Sequence, residues 1–344
     1  MTTRVLHTAG KDADPRAIAF AAEEIRDGGL VAFPTETVYG LGAEIYNEGA
    51  IRKIFEVKGR PPDNPLIVHI ADPEQGIELM QQVPDRYNVL ATAFMPGPLT
   101  LVVQRNASVL DVVTAGLETV AIRMPSHPLA LELIRAVGAP LAAPSANVSG
   151  NPSPTTAEEA YEELDGKVAF ILDGGRSDIG IESTVLDITG SKPVILRPGM
   201  ITGEDISGAL HEDVLHASEA GEVRSPGVKY RHYMPAVPMT LFAGQNAEDG
   251  IAAAAERLIA EGQRVGVLAP ERMKRISHTL FYSLGKGATL DYAKYMYSGL
   301  RFFSAQQVDV LLCAGIEEEH QGLAIMNRLR KAATTIREID EEDL

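Results

Sequence analysis

Short apolar runs, bounded by Gly, Pro or polar residues, recur through the first two-thirds of the 344-residue chain. Runs of this length predict buried strands rather than helices. The predicted strands are Leu30–Phe33, Leu66–Ile70, Leu99–Gln104, Thr119–Ile122, Leu141–Ala143, Ala169–Leu172, Thr184–Ile188 and Val194–Leu196. Strands outnumber helices here and alternate with them only loosely. The pattern therefore predicts an α/β fold with a twisted, mixed, open sheet.

Helices are indicated by capping residues and by apolar residues at helical spacing. Asp14 before Pro15 is typical of a helix N-terminus. Thr155 followed by Glu158 predicts a capping box at the N-terminus of another helix. The predicted helices cover residues 15–26, 47–58, 128–137 and 155–164.

The pattern changes after residue 217. Gly and Pro interrupt residues 218–238, which we interpret as a linker. Its stretch Ser225–Tyr233 combines two tyrosines with Lys, Arg and His, so we expect either a lid over the site or a permanently packed connector. Regular alternation of strands and helices follows, which predicts a smaller, Rossmann-like parallel α/β domain. The predicted division is 1–217, 218–238 and 239–344.

Composition and charge exclude several classes of protein. The net charge of −16 opposes broad nucleic-acid binding, because phosphate contacts need a positive surface. Cys313 is the single cysteine, which excludes internal disulfides and zinc ribbons. No apolar stretch approaches the ~18–20 residues of a membrane helix, and residues 1–14 do not resemble a signal peptide. We expect a cytoplasmic protein that does not enter a membrane.

Familiar catalytic motifs are not matched. His211 and His216 are five residues apart, whereas zinc-protease histidines are four apart on one helix face. The chain contains no Gly-x-x-x-x-Gly-Lys-Ser/Thr loop for phosphates, and the C-terminal region has no Gly-x-Gly-x-x-Gly after its first strand. Metalloprotease, covalent and dinucleotide chemistry are therefore poorly supported.

Seven short polar segments lie beside the predicted strands. They are Pro34–Gly40, Lys58–Pro62, Asn64–His69, Arg123–Pro125, Pro144–Asn147, Glu182–Thr184 and Leu196–Gly199. Arg offers a planar fork, Lys a point charge, and hydroxyls and amides add neutral donors. These are the groups that a pocket for an anionic ligand requires. The segments predict a nucleotide site built without a P-loop.

Two cations have alternative interpretations from the residues alone. Taken alone, Lys58 suits the C-terminus of a helix as well as it suits a phosphate, but Arg60 and Asn64 in the same loop favour phosphate binding. Arg123 ends a predicted strand, where an arginine is either a surface ion-pair partner or the partner of a ligand carboxylate.

Taken in order, the seven segments resemble those of the YrdC-type threonylcarbamoyl-AMP synthases, over roughly residues 15–235. The Ser225–Tyr233 stretch followed by a Rossmann-like tail resembles the longer, two-domain form. The resemblance implies a YrdC-like sheet and the condensation of ATP, L-threonine and bicarbonate (as CO₂) into threonylcarbamoyl-AMP and pyrophosphate. This is the first step of threonylcarbamoyladenosine modification of tRNA. It also implies Mg²⁺ that arrives with ATP, and downstream tRNA threonylcarbamoyl-transferase proteins as partners.

The resemblance also implies roles for individual residues. Catalytic roles fall to Lys58, Arg60, Ser145 and Asn147. ATP contacts fall to Arg60, Asn64, Thr119, Ser145, Ser153, Arg197, Tyr230 and Tyr233. L-threonine contacts fall to Thr37, His69, Arg123, Ser183 and the backbone near Ala143. No protein metal ligand is assigned; Glu36 and Glu182 are the carboxylates nearest the segments, but ATP commonly brings Mg²⁺ with few protein ligands.

Two rival functions remain. A carbamoyl-transferring maturation factor with a YrdC-like domain would carry zinc-binding cysteine pairs, which a single cysteine opposes. A double-stranded RNA-binding or ribosome-associated module would need an exposed basic surface.

Overall fold

The structure, a computed structural model, describes residues 2–7, 14–217, 233–276 and 278–339. These residues divide into two compact units. Unit one takes in the described residues up to 217, apart from 150–152 and 179–181, which belong to unit two with residues 233 onward. Most of the predicted linker, including Tyr230, lies outside the described residues, so its lid function and the domain boundaries stay predictions. None of the helices in the described ranges is both long and apolar enough to cross a membrane.

The described strands of unit one form a single mixed sheet. Its eleven strands are β1 (Arg4–His7), β2 (Val31–Phe33), β3 (Gly40–Glu44), β4 (Ile67–His69), β5 (Leu99–Gln104), β6 (Thr119–Arg123), β7 (Leu141–Ala142), β8 (Phe170–Asp173), β9 (Thr184–Asp187), β10 (Val194–Arg197) and β11 (Leu215–His216). Their order is β1-β8-β2-β3-β7-β4-β6-β5-β9-β10-β11. Parallel pairs such as β4–β6 alternate with antiparallel pairs such as β5–β6. The predicted mixed α/β sheet is confirmed.

The helices of unit one are α1 (Pro15–Arg26), α2 (Glu48–Lys58), α3 (Pro73–Glu78), α4 (Asp85–Phe94), α5 (Asp111–Thr114), α6 (Pro128–Val137), α7 (Ala157–Leu164) and α8 (Gly203–Leu210). The predicted cap Asp14 accepts a backbone N–H group at the start of α1. Asn47, predicted as the first residue of the second helix, is instead the cap of α2 and accepts the N–H of Ala50. The predicted capping box at Thr155 is wrong by one residue. Thr156 has the extended backbone of a cap and accepts the N–H of Glu159.

The core of unit one lies on both faces of this sheet. Strand β2 illustrates the arrangement, because Val31 and Phe33 pack in one apolar cluster with α1 and α6. Ala32, between them, packs in a second cluster with residues of α2. Successive strand residues point to opposite faces, so a strand buried on both faces must be apolar throughout. That requirement explains why continuous apolar runs mark these strands in the sequence.

Unit two contains a smaller sheet in which every described strand pair is parallel. Its strands are β12 (Met239–Ala243), β13 (Val265–Ala269), β14 (Leu280–Ser283), β15 (Val310–Ala314) and β16 (Thr335–Glu338), in the order β14-β13-β15-β12-β16. Its helices are α9 (Ala247–Ala260), α10 (Thr289–Ser304) and α11 (Gly322–Ala332). The predicted parallel α/β domain is confirmed. Strand β16 was not predicted, since its four residues are all exposed and show no apolar pattern.

Candidate active site

The centre of the site lies where strands β4 and β6 end. The two strands are parallel, and His69 is the register partner of Arg123. Paired residues on neighbouring strands project to the same face, and both of these side chains are buried. The His69 ring also meets Phe33 edge-on, with centroids 6.2 Å apart. Burial, helped by the charge of Arg123, lowers the pKa of His69 to about 3, so its imidazole is neutral at physiological pH.

Arg123 is paired with a carboxylate from the loop that follows β2. Its Nη2 lies 2.8 Å from Oε1 of Glu36, and the two side chains are only 4% and 6% exposed. Its Nε approaches the carbonyl of Gly97 at 3.4 Å. The surface ion pair considered from the sequence is therefore wrong, because this pair is buried. The Glu36 carboxylate occupies the place beside Arg123 that the resemblance assigns to the carboxylate of threonine.

Hydroxyl groups hold the loop that carries Glu36. The Thr35 hydroxyl donates to the carbonyl of Val38 at 2.7 Å and accepts the N–H groups of Thr37 and Val38. The Thr37 hydroxyl, a predicted threonine contact, lies 2.9 Å from that of Thr35, and both are buried. Ser177 donates to the Thr35 carbonyl at 2.9 Å. These bonds fix Glu36 and Thr37 before any ligand arrives.

Ser183 and Arg197 meet on the neighbouring strands. Arg197 donates from Nε to the Ser183 carbonyl at 3.1 Å and from Nη2 to its hydroxyl at 3.2 Å. The Ser183 hydroxyl is also 2.8 Å from that of Thr100. The register of β5 with β6 and β9 places these residues at the end of β6 that carries Arg123. A predicted threonine contact and a predicted nucleotide contact are thus brought together.

Lys58 supports the loop of the Ser-x-Asn motif. It is the last residue of α2, and its ammonium donates to the carbonyls of Ser145, at 2.5 Å, and Asn147. Burial, together with the charge of Arg60, holds its pKa well below the usual value. Within the loop, the Ser145 hydroxyl donates to Asn147 Oδ1 at 2.6 Å. Two of the three ammonium hydrogens are engaged, which leaves one donor for a ligand.

Arg60 supports the next loop. Its Nε donates to the Asn64 carbonyl at 3.1 Å and its Nη2 to the Pro65 carbonyl at 2.8 Å. This loop leads into β4 at the end where β6 begins with Thr119, since Ile67 pairs with Ala121. Four residues separate Thr119 from Arg123, so the ends of β6 are roughly 13 Å apart.

The site residues therefore form two groups. The carboxyl-end group lies where β4 and β6 end and contains Glu36, Thr37, His69, Arg123, Ser183 and Arg197. The amino-end group lies where those strands begin and contains Lys58, Arg60, Asn64, Thr119, Ser145 and Asn147. Ala143 lies between them on the chain leaving β7, where its N–H donates to the Ile67 carbonyl at 3.0 Å.

Three other predicted residues lie outside these two groups. Ser153 is fully buried, and its hydroxyl donates to Oε1 of Glu182 at 2.6 Å. Tyr233 lies in unit two, where its ring packs against Tyr297 with centroids 5.1 Å apart. Tyr230 is not among the described residues.

No cluster of three acidic, histidine or cysteine side chains suited to a metal ion occurs within the described ranges. Of the two carboxylates considered for Mg²⁺, Glu36 pairs with Arg123 and Glu182 accepts from Ser153.

Two features of the site were not predicted from the sequence. One is the pairing of Glu36 with Arg123, which depends on contact between segments that lie far apart in the chain. The other is Thr100, which is fully buried beside Ser183. A polar residue inside the apolar run Leu99–Gln104 was a usable signal, because buried hydroxyls need partners.

Family models match two stretches of the chain. The model Sua5_yciO_yrdC, described as "Telomere recombination", matches residues 23–199, and the model described as "Threonylcarbamoyl-AMP synthase, C-terminal domain" matches residues 201–334. A threonylcarbamoyl-AMP synthase of Pyrococcus abyssi is 46% identical over 325 residues, covering 92% of this chain and 94% of its own length. One from Bacillus subtilis is 48% identical over 330 residues, covering 93% of each.

A solved structure is similar over almost the whole chain. The crystal structure of P. abyssi Sua5 complexed with L-threonine matches with a TM-score of 0.92 and 42% identity. The match covers 99% of this chain and 100% of that one.

Proposed function

This chain belongs to the threonylcarbamoyl-AMP synthase family and has that activity, and we propose that unit one condenses ATP, L-threonine and bicarbonate into threonylcarbamoyl-AMP and pyrophosphate. The observation that carries this proposal is the division of buried and half-buried polar residues into two groups at opposite ends of β4 and β6. One group suits an amino acid and the other suits phosphates. The reaction class is nucleotidyl transfer, since AMP passes to a carbamate.

L-Threonine binds at the carboxyl-end group. The Arg123 guanidinium already faces a carboxylate in the free protein and can receive that of threonine in the same way. Neutral His69, Thr37 and Ser183 supply hydrogen-bonding groups nearby. A similar protein, P. abyssi Sua5, has been crystallised with L-threonine, which supports this assignment.

ATP binds with its phosphates at the amino-end group. Lys58 and Arg60 provide positive charge, while the loop of Ser145 and Asn147, held by Lys58, provides neutral donors. Charge-assisted hydrogen bonds of this kind take the place of a P-loop. Mg²⁺ enters as part of the MgATP substrate, and we assign it no protein ligand.

The chemistry requires positioning more than a protein nucleophile. The amine of threonine, once its ammonium group has lost a proton, attacks CO₂, and loss of a second proton from nitrogen to solvent gives a carbamate. The carbamate oxygen then attacks the α-phosphorus in line as pyrophosphate leaves. Arg197 contacts Ser183 at the carboxyl-end group, where its charge can stabilise the oxygens that become negative. Orientation and charge neutralisation supply the rate in such phosphoryl-type transfers. Burial of the site protects the carbamate from water.

We further propose the setting of this reaction. Its product is the substrate of tRNA threonylcarbamoyl-transferase proteins, so the enzyme performs the first step of threonylcarbamoyladenosine formation in tRNA. The cytoplasm stays the predicted location.

The test is an assay in which each substrate is omitted in turn. Pyrophosphate release should require ATP, L-threonine and bicarbonate together, and mass spectrometry should detect threonylcarbamoyl-AMP. A heat-inactivated sample is the control for chemical background. Equal pyrophosphate release from ATP alone would show that the proposal is wrong.

A further inference from the structure

Three buried polar atoms without hydrogen-bond partners lie together in the carboxyl-end group. Among the described residues, neither Oε1 nor Oε2 of Glu36 accepts a hydrogen bond, and Nη2 of Arg123 donates none. Nη2 and Oε1 are 2.8 Å apart, so the pair is electrostatic but poorly aligned. Native proteins satisfy nearly all buried polar groups, and a cluster of exceptions needs a functional explanation.

We propose that Glu36 is the counter-charge for the α-ammonium group of L-threonine, so that Glu36 and Arg123 together form a receptor for an amino-acid zwitterion. The proposal rests on the proposed function, because it names how the same site recognises its substrate. An α-amino acid carries one negative and one positive group on the same carbon. Glu36 and Arg123 present the complementary charges side by side, with unused hydrogen-bonding capacity on both.

Each buried charge in this site needs an opposite charge beside it, which explains why the ligand must be a zwitterion. A ligand carboxylate that takes over the Arg123 guanidinium weakens its contact with Glu36. Because the Glu36 side chain is only 6% exposed, it would then be a buried carboxylate without a partner. Losing the partner of a buried charge is strongly unfavourable. The ammonium group of the same ligand compensates, so binding exchanges one ion pair for two.

Neither His69 nor Glu182 suits this role as well. His69 is next to Arg123, but its imidazole is neutral and cannot balance an ammonium charge. Glu182 already accepts a short hydrogen bond from Ser153. Glu36 lies in the loop held by the Thr35 hydrogen bonds, and its Oε1 lies 2.8 Å from Nη2 of Arg123.

The test compares two ligands on two forms of the protein, without ATP or Mg²⁺. The ligands are L-threonine and (R)-β-hydroxybutyrate, which is L-threonine with hydrogen in place of the α-amino group. Calorimetric titration of wild type should show much tighter binding of L-threonine, by about ten- to a hundred-fold, which is the worth of a charge-assisted pair. This measurement needs no variant, and equal affinities would overturn the proposal.

Glu36→Gln should abolish the preference for L-threonine. The variant is expected to bind L-threonine about ten- to a hundred-fold more weakly but to bind (R)-β-hydroxybutyrate at least as tightly as wild type does, since no buried carboxylate is stranded. Glu48→Gln is the matched control, because Glu48 pairs with Arg52 on an exposed face. Circular dichroism checks that each variant is folded.

Two outcomes would overturn the inference and identify the alternative. An equal loss for both ligands would show that Glu36 only positions Arg123. Unchanged binding of both, combined with an altered Mg²⁺ requirement in the pyrophosphate assay, would show a metal-binding role. If wild type makes threonylcarbamoyl-AMP while Glu36→Gln keeps its threonine affinity, this inference fails and the proposed function stands.

Discussion

Removing the guanidinium of Arg123 should destabilise unit one far more than removing an exposed arginine. The substitution is Arg123→Met, which keeps an apolar stem but leaves the Glu36 carboxylate buried without its partner. At 2.8 Å and an effective dielectric constant of about 20, the gross attraction of the pair is about 6 kcal/mol. Desolvation offsets part of this attraction. Breaking such buried pairs typically costs about 3–5 kcal/mol.

The measurements are equilibrium unfolding in urea and thermal unfolding, both at neutral pH and both followed by circular dichroism. A loss of about 3 kcal/mol corresponds to a fall in Tm of roughly 6–12 °C for a unit of this size. Arg52→Met is the matched control, because Arg52 and Glu48 form an exposed pair on α2, 67% and 55% exposed. That pair should be worth about 0.3–0.5 kcal/mol.

A double variant tests whether the loss of stability comes from the unpaired Glu36 carboxylate. Adding Glu36→Gln to Arg123→Met removes the stranded charge, so the double variant should be more stable than Arg123→Met alone. Interaction energies between contacting residues are measured by such a cycle. If Arg123→Met costs no more than Arg52→Met, or if Glu36→Gln restores nothing, the pair does not behave as a buried ion pair.

Two further predictions concern His69 and Lys58. The pKa of His69 is lowered to about 3 in the folded protein, whereas a histidine of the unfolded chain has a pKa of about 6.5. Below about pH 6.5 the unfolded chain therefore binds a proton that the folded protein does not. The free energy of unfolding should then fall by about 1.4 kcal/mol per pH unit. His69→Gln should remove that slope between about pH 6.5 and the acid limit of folding, and an unchanged slope in urea titrations would contradict the assignment. Lys58→Met should lower kcat/KM for ATP by about ten- to a hundred-fold by releasing the Ser145 and Asn147 carbonyls. Lys53→Met, which removes a bond to the Gly28 carbonyl only, is the control, and equal effects of the two would refute a specific role for Lys58.

Strands that carry a continuous apolar run could be predicted from the sequence, and strands without such a run could not. Strand β5 matches its prediction because every residue but the last is buried. Strand β3 was missed, since its sequence Gly-Leu-Gly-Ala-Glu carries little strand propensity and Gly42 is required where a Cβ would meet the Phe33 ring at 2.7 Å. Strand β16 is held by pairing with β12, although all its side chains are exposed. Tertiary pairing, not local pattern, creates such strands.

The site could be predicted as a list of residues but not as an arrangement. The polar segments stand at strand ends, and the sequence marks those ends well. Which ends meet depends on register between strands far apart in the chain, as when β4 pairs with β6 across some fifty residues. The opposite ends assigned to Arg60 and Arg123 follow from that register alone. The Glu36–Arg123 contact likewise joins segments that no local pattern connects.

Burial of the site cations also separates the enzyme from the RNA-binding alternative. Lys58, Arg123 and Arg197 are 1%, 4% and 6% exposed, so their charges face inward. Counter-ion release from a nucleic acid requires cations that reach its phosphates at the protein surface. The same side chains cannot serve a buried nucleotide pocket and an exposed RNA surface at once. The chain has a net charge of −16, and cations buried in the site do not contribute to a positive surface that could bind a nucleic acid. The distribution of these charges therefore favours a small anionic substrate, which can enter the pocket, over a polyanion, which cannot.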